Sequence, residues 1–169
     1  MIPLIDLHCH PTMKIHLFKQ DIGVSHKLLP DKVPSGMHVD LPGMAEAGVR
    51  VIFATHYIPE SGFAKMKNTK LLYKLLEKLD PQVTFKFEPD HDGEGAYMLL
   101  SQSMTLLENQ IEKYSNEFNV VIPRSRSQFE YAWDSGKTIV IHAIEGSHHL
   151  GRNLQNDDWY IRNLALLNG

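Results

Sequence analysis

Ile2-Pro3-Leu4-Ile5-Asp6-Leu7 runs directly into His8-Cys9-His10, and Thr138-Ile139-Val140-Ile141-His142-Ala143-Ile144 runs into Glu145-Gly146. Each is a short apolar run ended by metal-type ligands. Such runs read as buried parallel strands whose last residues emerge at the carboxyl end of a sheet. In an α/β barrel that end carries the chemistry, because the loops leaving it surround one mouth. Side chains at i and i+2 of a strand share one side, so His8 and His10 can hold a common ion while Cys9 points the other way. Glu145, from a distant strand end, completes a candidate divalent site.

The 169 residues, 43% hydrophobic and 22% charged, suffice for one globular unit with a sizeable core. With 17 basic and 20 acidic residues the formal charge is −3, and no run of Lys or Arg is long enough to track a phosphate backbone. Nucleic acid is therefore not an expected partner. A single cysteine allows no internal disulfide, and no stretch reaches the ~18 apolar residues of a membrane span. The first apolar run begins at residue 2 with no basic segment before it, so a reducing, cytoplasmic setting is expected. Histidine is abundant, at 10 residues, and His8, His10, His142 and His148 all sit beside the two strand ends.

Between these ends the elements alternate. Residues 11–37, with Pro11, Gly23, Pro30, Pro34 and Gly36, read as a long loop able to fold over a site. Asp40 suits a helix N-cap and Gly48 a helix stop, and Val49 to Thr55 follows as a second strand. Leu71, Leu72, Leu75, Leu76 and Leu79 mark a short helix, and Leu107, Ile111, Tyr114 and Phe118 the apolar stripe of a longer one. Asp90 to Gly95 lacks the ligand spacing of a calcium loop and reads as an acidic turn. Asn119 to Pro123 is a third strand, Ser127 to Ser135 a helix closed by Gly136, Lys137 to Ile144 the fourth strand, and Asn156 to Leu167 a last helix. The predicted fold is thus α/β: the first four β/α units of a TIM-like (β/α)8 barrel, a form that takes ~250 residues when complete. The chain looks truncated, as a single domain over 1–169 with insertions at about 11–37 and 61–95.

The stretch from Leu106-Leu107-Glu108-Asn109-Gln110-Ile111 through Ser125 and Gly136-Lys137 to Ile144-Glu145-Gly146-Ser147-His148-His149-Leu150-Gly151 resembles the membrane or renal dipeptidases, peptidase family M19, within the amidohydrolase-type metal-dependent hydrolases. Asp40-Leu41-Pro42 to Gly48-Val49 and Phe53-Ala54-Thr55-His56-Tyr57-Ile58-Pro59 are similar to that family's second unit. The likeness is weakest over Met13 to Met37 and Ser61 to Gly95. It implies that His8 is the first metal-binding histidine and Glu145 a catalytic glutamate bridging two zinc ions. It also implies that a metal-activated water cleaves a dipeptide or related small amide. The chain departs from the family at His10, where Asp is usual; the resulting His-x-His is common in the wider amidohydrolase group. A neutral imidazole in place of a carboxylate alters the charge balance of the site. The family's remaining ligands lie beyond the stretch present here.

Beside these readings stand plainer ones. His8 and His10 can instead be satisfied by backbone carbonyls, and Glu145 by a nearby cation. His56, Tyr57 and His148 are candidate substrate contacts, His142 a wall histidine facing away from Glu145, and Cys9 a small apolar wall residue. Asp6-Leu7-His8-Cys9-His10 also looks like the opening of PHP phosphoesterases and TatD-like nucleases. The alternative to catalysis is a half-barrel fragment completed by a missing C-terminal half or by a homodimer, since a half-barrel leaves strand edges unpaired.

Overall fold

The computed structural model describes residues 3–25, 39–58, 74, 94–146 and 150. The expected helices over 71–79 and 156–167 lie outside the described residues, apart from position 74, which is helical. Four strands, β1 (Leu4–Cys9), β2 (Val49–His56), β3 (Val120–Val121) and β4 (Thr138–Ile144), form one sheet. Every pairing is parallel, as expected, but β1 is not the buried strand its apolar run suggests: among the described residues it stands at the edge of the sheet with all but Asp6 and Cys9 exposed. The order is β1-β2-β4-β3. Units laid down successively around a barrel would run in chain order; here β4 lies beside β2 and β3 takes the edge. The longest register, Val51↔Ile139 through His56↔Ile144, joins the two most apolar strands. β3 is shorter than Asn119 to Pro123 because Asn119 adopts a left-handed φ of 48° and Pro123 has no N–H to give a ladder.

Helices cover the sheet unequally. Alternate residues Ile52 and Ala54 of β2 and Val140 of β4 pack on Ile15, Leu41, Met44, Leu107 and Ile111, from helices α1 (Pro11–Phe18), α2 (Leu41–Ala47) and α3 (Glu94–Tyr114). The intervening Val51 and Ile139 pack on Ala132 of helix α4 (Arg126–Asp134), with Phe53 and Ile141 only partly covered. Arg50 ties α4 down: Nη2 donates to the Trp133 carbonyl at 2.8 Å and Nε to that of Lys137 at 3.2 Å.

Helix α2 has the caps its sequence predicts. Asp40 Oδ1 accepts from Gly43 N at 2.6 Å, and Gly48 closes the helix with a φ of 68°, where a side chain would be strained. The loop expected from Pro11 onward begins instead as α1. Proline at the first helical position has its fixed φ already in the helical range and lacks only an N–H that would go unused. The turn after α1 is clipped to α3 by Ile22 N on Gln110 Oε1 (2.8 Å) and by Tyr114 Oη and Lys113 Nζ on Asp21 Oδ2 (2.9 and 2.8 Å). Gly23 lies so close to the Tyr114 ring that a β-carbon there would stand 2.2 Å from it. No described helix is long and apolar enough to cross a membrane.

Candidate metal centre

At its carboxyl end β1 is irregular. Asp6 pairs with Ile52 and Cys9 with Ala54, so the stretch between them on β1 carries one residue more than its partner. The extra residue is a bulge, which twists the strand and re-aims its last side chains. Asp6 Oδ1 accepts from the backbone N of His8 at 2.9 Å, holding the bulged turn. Cys9 points into the helix-covered core while His8 and His10 meet on the other side, Nε2 to Nε2 at 3.0 Å.

Glu145 arrives from β4. Its N–H donates to the carbonyl of His56 at 3.0 Å, continuing the β2–β4 ladder past Ile144. Its Oε2 lies 3.2 Å from His8 Nε2 and 3.3 Å from His10 Nε2. His10 Nδ1 is 3.1 Å from the carbonyl oxygen of Thr55, the residue before His56. A carbonyl only accepts, so Nδ1 carries the proton, and Nε2 of the neutral ring presents its lone pair to the group. Two consecutive carbonyls at the end of β2 therefore orient ligands on both neighbouring strands.

His8, His10 and Glu145 form a group that could hold a metal ion, with one ligand atom from each. Four ligands about 2.0–2.1 Å from a zinc ion define a tetrahedron with edges of roughly 3.3–3.4 Å. The observed separations of 3.0, 3.2 and 3.3 Å are those of one tetrahedral face, slightly contracted. Side-chain exposures of 57% for His8 and 46% for Glu145, against 32% for His10, leave the approach open to water or a small ligand. No protein-family model matches the chain, and no curated protein matches it.

The other candidates fall elsewhere. Cys9 donates to the Phe53 carbonyl at 3.5 Å, and burial, assisted by the charge of Asp6, pushes its thiol up to about 12. It is a neutral core side chain at physiological pH, as its position in the strand implied. Tyr57 is half-buried just beyond β2, and His148 lies outside the described residues. His56 has no accessible surface and faces α3, away from the donor group.

His56 belongs to a second polar chain. Its Nε2 lies 2.7 Å from His142 Nδ1, and its Nδ1 3.5 Å from Ser103 Oγ. His142 Nε2 lies 3.2 Å from Glu108 Oε1, which Arg124 Nη2 also meets at 2.9 Å. His142 therefore faces opposite Glu145, as the strand alternation predicts. Ser103 lies outside every motif, and Glu108, though inside the Leu106–Ile111 stretch, is given no site role by it. The signal that finds Ser103 is a polar residue on a buried helical stripe, between Leu100 and Leu107.

Burial lowers the pKa of His142 and outweighs the attraction of Glu108, which raises it; Arg124 adds a smaller lowering. An unfolded His142 takes up a proton near its ordinary value of 6.5, whereas the folded ring stays neutral to lower pH. Below that value the unfolded state binds more protons, so stability is lost as pH falls through about 6.5 and levels off below the folded value. Urea midpoints at pH 7.5 and 5.5 are expected to drop in the wild type and to drop less in His142→Asn. Equal drops would place the acid sensitivity elsewhere.

Proposed function

We propose that the chain is a zinc-dependent hydrolase similar to the membrane dipeptidases, acting on a dipeptide or a related small amide. The observation that supports this best is the His8–His10–Glu145 group, assembled from two parallel strands at their carboxyl ends with near-tetrahedral spacing. The parallel pairing of all four strands fits an α/β hydrolase of this kind, although β4 beside β2 departs from the order of four successive barrel units. A lone buried thiol suits a reducing, cytoplasmic compartment.

Zinc bound here, as one ion or as two bridged by Glu145, would lower the pKa of a bound water and polarise the scissile carbonyl. The chain's own part is organisation. Thr55 fixes the His10 tautomer so that Nε2 is always the donor, and the bulge at Leu7–His8 brings a second imidazole within 3.0 Å. Glu145 supplies the negative charge that two neutral imidazoles lack. Its Oε2 faces both rings, 3.2 Å from His8 Nε2 and 3.3 Å from His10 Nε2. Tyr57 and His148, beyond the ends of β2 and β4, are the proposed substrate contacts.

Elemental mass spectrometry of the purified chain tests this reading. One or two zinc ions per chain, lost in His8→Ala, are expected, with hydrolysis of small dipeptides assayed next. A chain that holds no metal after incubation with zinc would rule the reading out.

A second reading is favoured by β1. Among the described residues it is an edge strand, with Leu4 and Ile5 about half exposed and Leu7 at 70%. An exposed apolar edge is a template for pairing. In that reading the chain acts only after a second copy or a further segment closes on β1, and light scattering would find no isolated, well-folded monomer.

A further inference from the structure

We propose that His56 and His142 are positioning residues for the donor group, holding the end of β2 from which His10 and Glu145 are oriented; this rests on the metal-site reading above. Two histidines side by side beneath a sheet are an expensive way to fill space, since each buried ring nitrogen needs a partner. Here the partners form a chain with a defined direction. Glu108, paired with Arg124, can only accept, so His142 Nε2 carries the proton and Nδ1 the lone pair. His56 Nε2–H then donates to His142 Nδ1 at 2.7 Å, and His56 Nδ1 is left to accept from Ser103 Oγ. Each tautomer follows from the carboxylate at one end.

The consequence lies in the backbone. The carbonyl of His56 takes the N–H of Glu145, and the carbonyl just before it, on Thr55, takes the Nδ1 proton of His10. Successive strand carbonyls point to opposite neighbours, so these two residues reach β4 and β1 respectively. β2 stops at His56, and the end of an element opens more readily than its middle. The side chain of His56, held by β4 through His142 and by α3 through Ser103, pins the last residue that could fray. Loosening it releases the supports of two of the three donors at once, although neither ring touches a donor side chain.

The experiment compares His142→Leu, which removes both links, with His142→Asn, whose Oδ1 stands where Nδ1 was and can still accept from His56. Two readouts are taken at pH 8: the His10 ring tautomer by nitrogen-15 NMR in the metal-free chain, and zinc affinity by chelator competition. In His142→Leu the His10 ring is expected to lose its single Nδ1–H tautomer and zinc affinity to fall about tenfold, the lower end of the loss when a direct partner of a ligand is removed. His142→Asn is expected to restore the tautomer and bring affinity within about twofold of wild type, which a role in packing alone would not do. If His142→Leu does not fold, Glu108→Ala replaces it, with loss of the His10 tautomer again expected. A His10 tautomer and affinity unchanged in the Leu or Glu108→Ala variant would overturn the proposal. Wild-type chain that binds no zinc would instead overturn the metal reading, while the metal-free tautomer still decides the positioning role.

Discussion

Glu145→Ala is expected to reduce zinc affinity by more than about a hundredfold, because losses of ten- to a hundredfold already follow from removing a partner one bond outside the ligands. Among the described residues Glu145 is the carboxylate of the donor group. Without it the two imidazoles lose the carboxylate that offsets part of a dication's charge, and the group loses one of its three ligand atoms. His8→Ala should cost a similar factor by removing a vertex but leaving the charge. His10→Asp separates the two effects. It gives up the Nδ1 link to Thr55 but gains a second negative donor, and retained or tighter binding is expected. Chelator competition on the four proteins checks the series. Complete loss in His10→Asp would count against the family resemblance, and unchanged affinity in Glu145→Ala would remove the carboxylate from the site.

The donor group is legible because its ligands are announced locally: an apolar run ends in metal-type side chains, with Cys9 alone turning back into the core. The helix caps at Asp40 and Gly48 were legible for the same reason, since each depends on a few adjacent residues. Strand order was not. An apolar run of six or seven residues marks a strand but carries nothing about which neighbour it meets or how far it is covered, so β4 beside β2 and the exposure of β1 emerge only from packing. Pro11 misled because proline marks both loops and helix starts, and the distinction rests on the helical turn that follows. His56 was placed near the site by its position at a strand end, but which side of the sheet it faces depends on β2 alternation. Ile52 and Ala54 face the helices, and His56 keeps their phase. The chain from Ser103 to Arg124 joins positions far apart in sequence, with no spacing that would reveal it.

Leu107→Ala should be the most damaging single change to the fold, lowering stability by about 3 kcal/mol within the 2–5 kcal/mol range for buried leucines. Leu107 has no accessible surface and sits in the cluster that joins α3 to Ile52 of β2, Val140 of β4 and Val120 of β3. The void left by alanine would be lined by strand residues held in register by their ladders, so collapse around it is limited. Leu106, one residue earlier on the same helix, is 37% exposed. Leu106→Ala removes the same atoms from a site half open to water and should cost under about 1 kcal/mol. Urea unfolding of the pair, with unchanged slopes, measures the difference directly. Similar losses at both positions would mean that α3 does not present its Leu100–Leu107–Ile111 face to the sheet. The contrast also bears on the site, since Glu108 follows Leu107 on α3 and reaches His142 from there. A seated α3 is therefore a condition for the buried histidine pair, and zinc affinity in Leu107→Ala below its melting range should fall with the His10 tautomer or not at all.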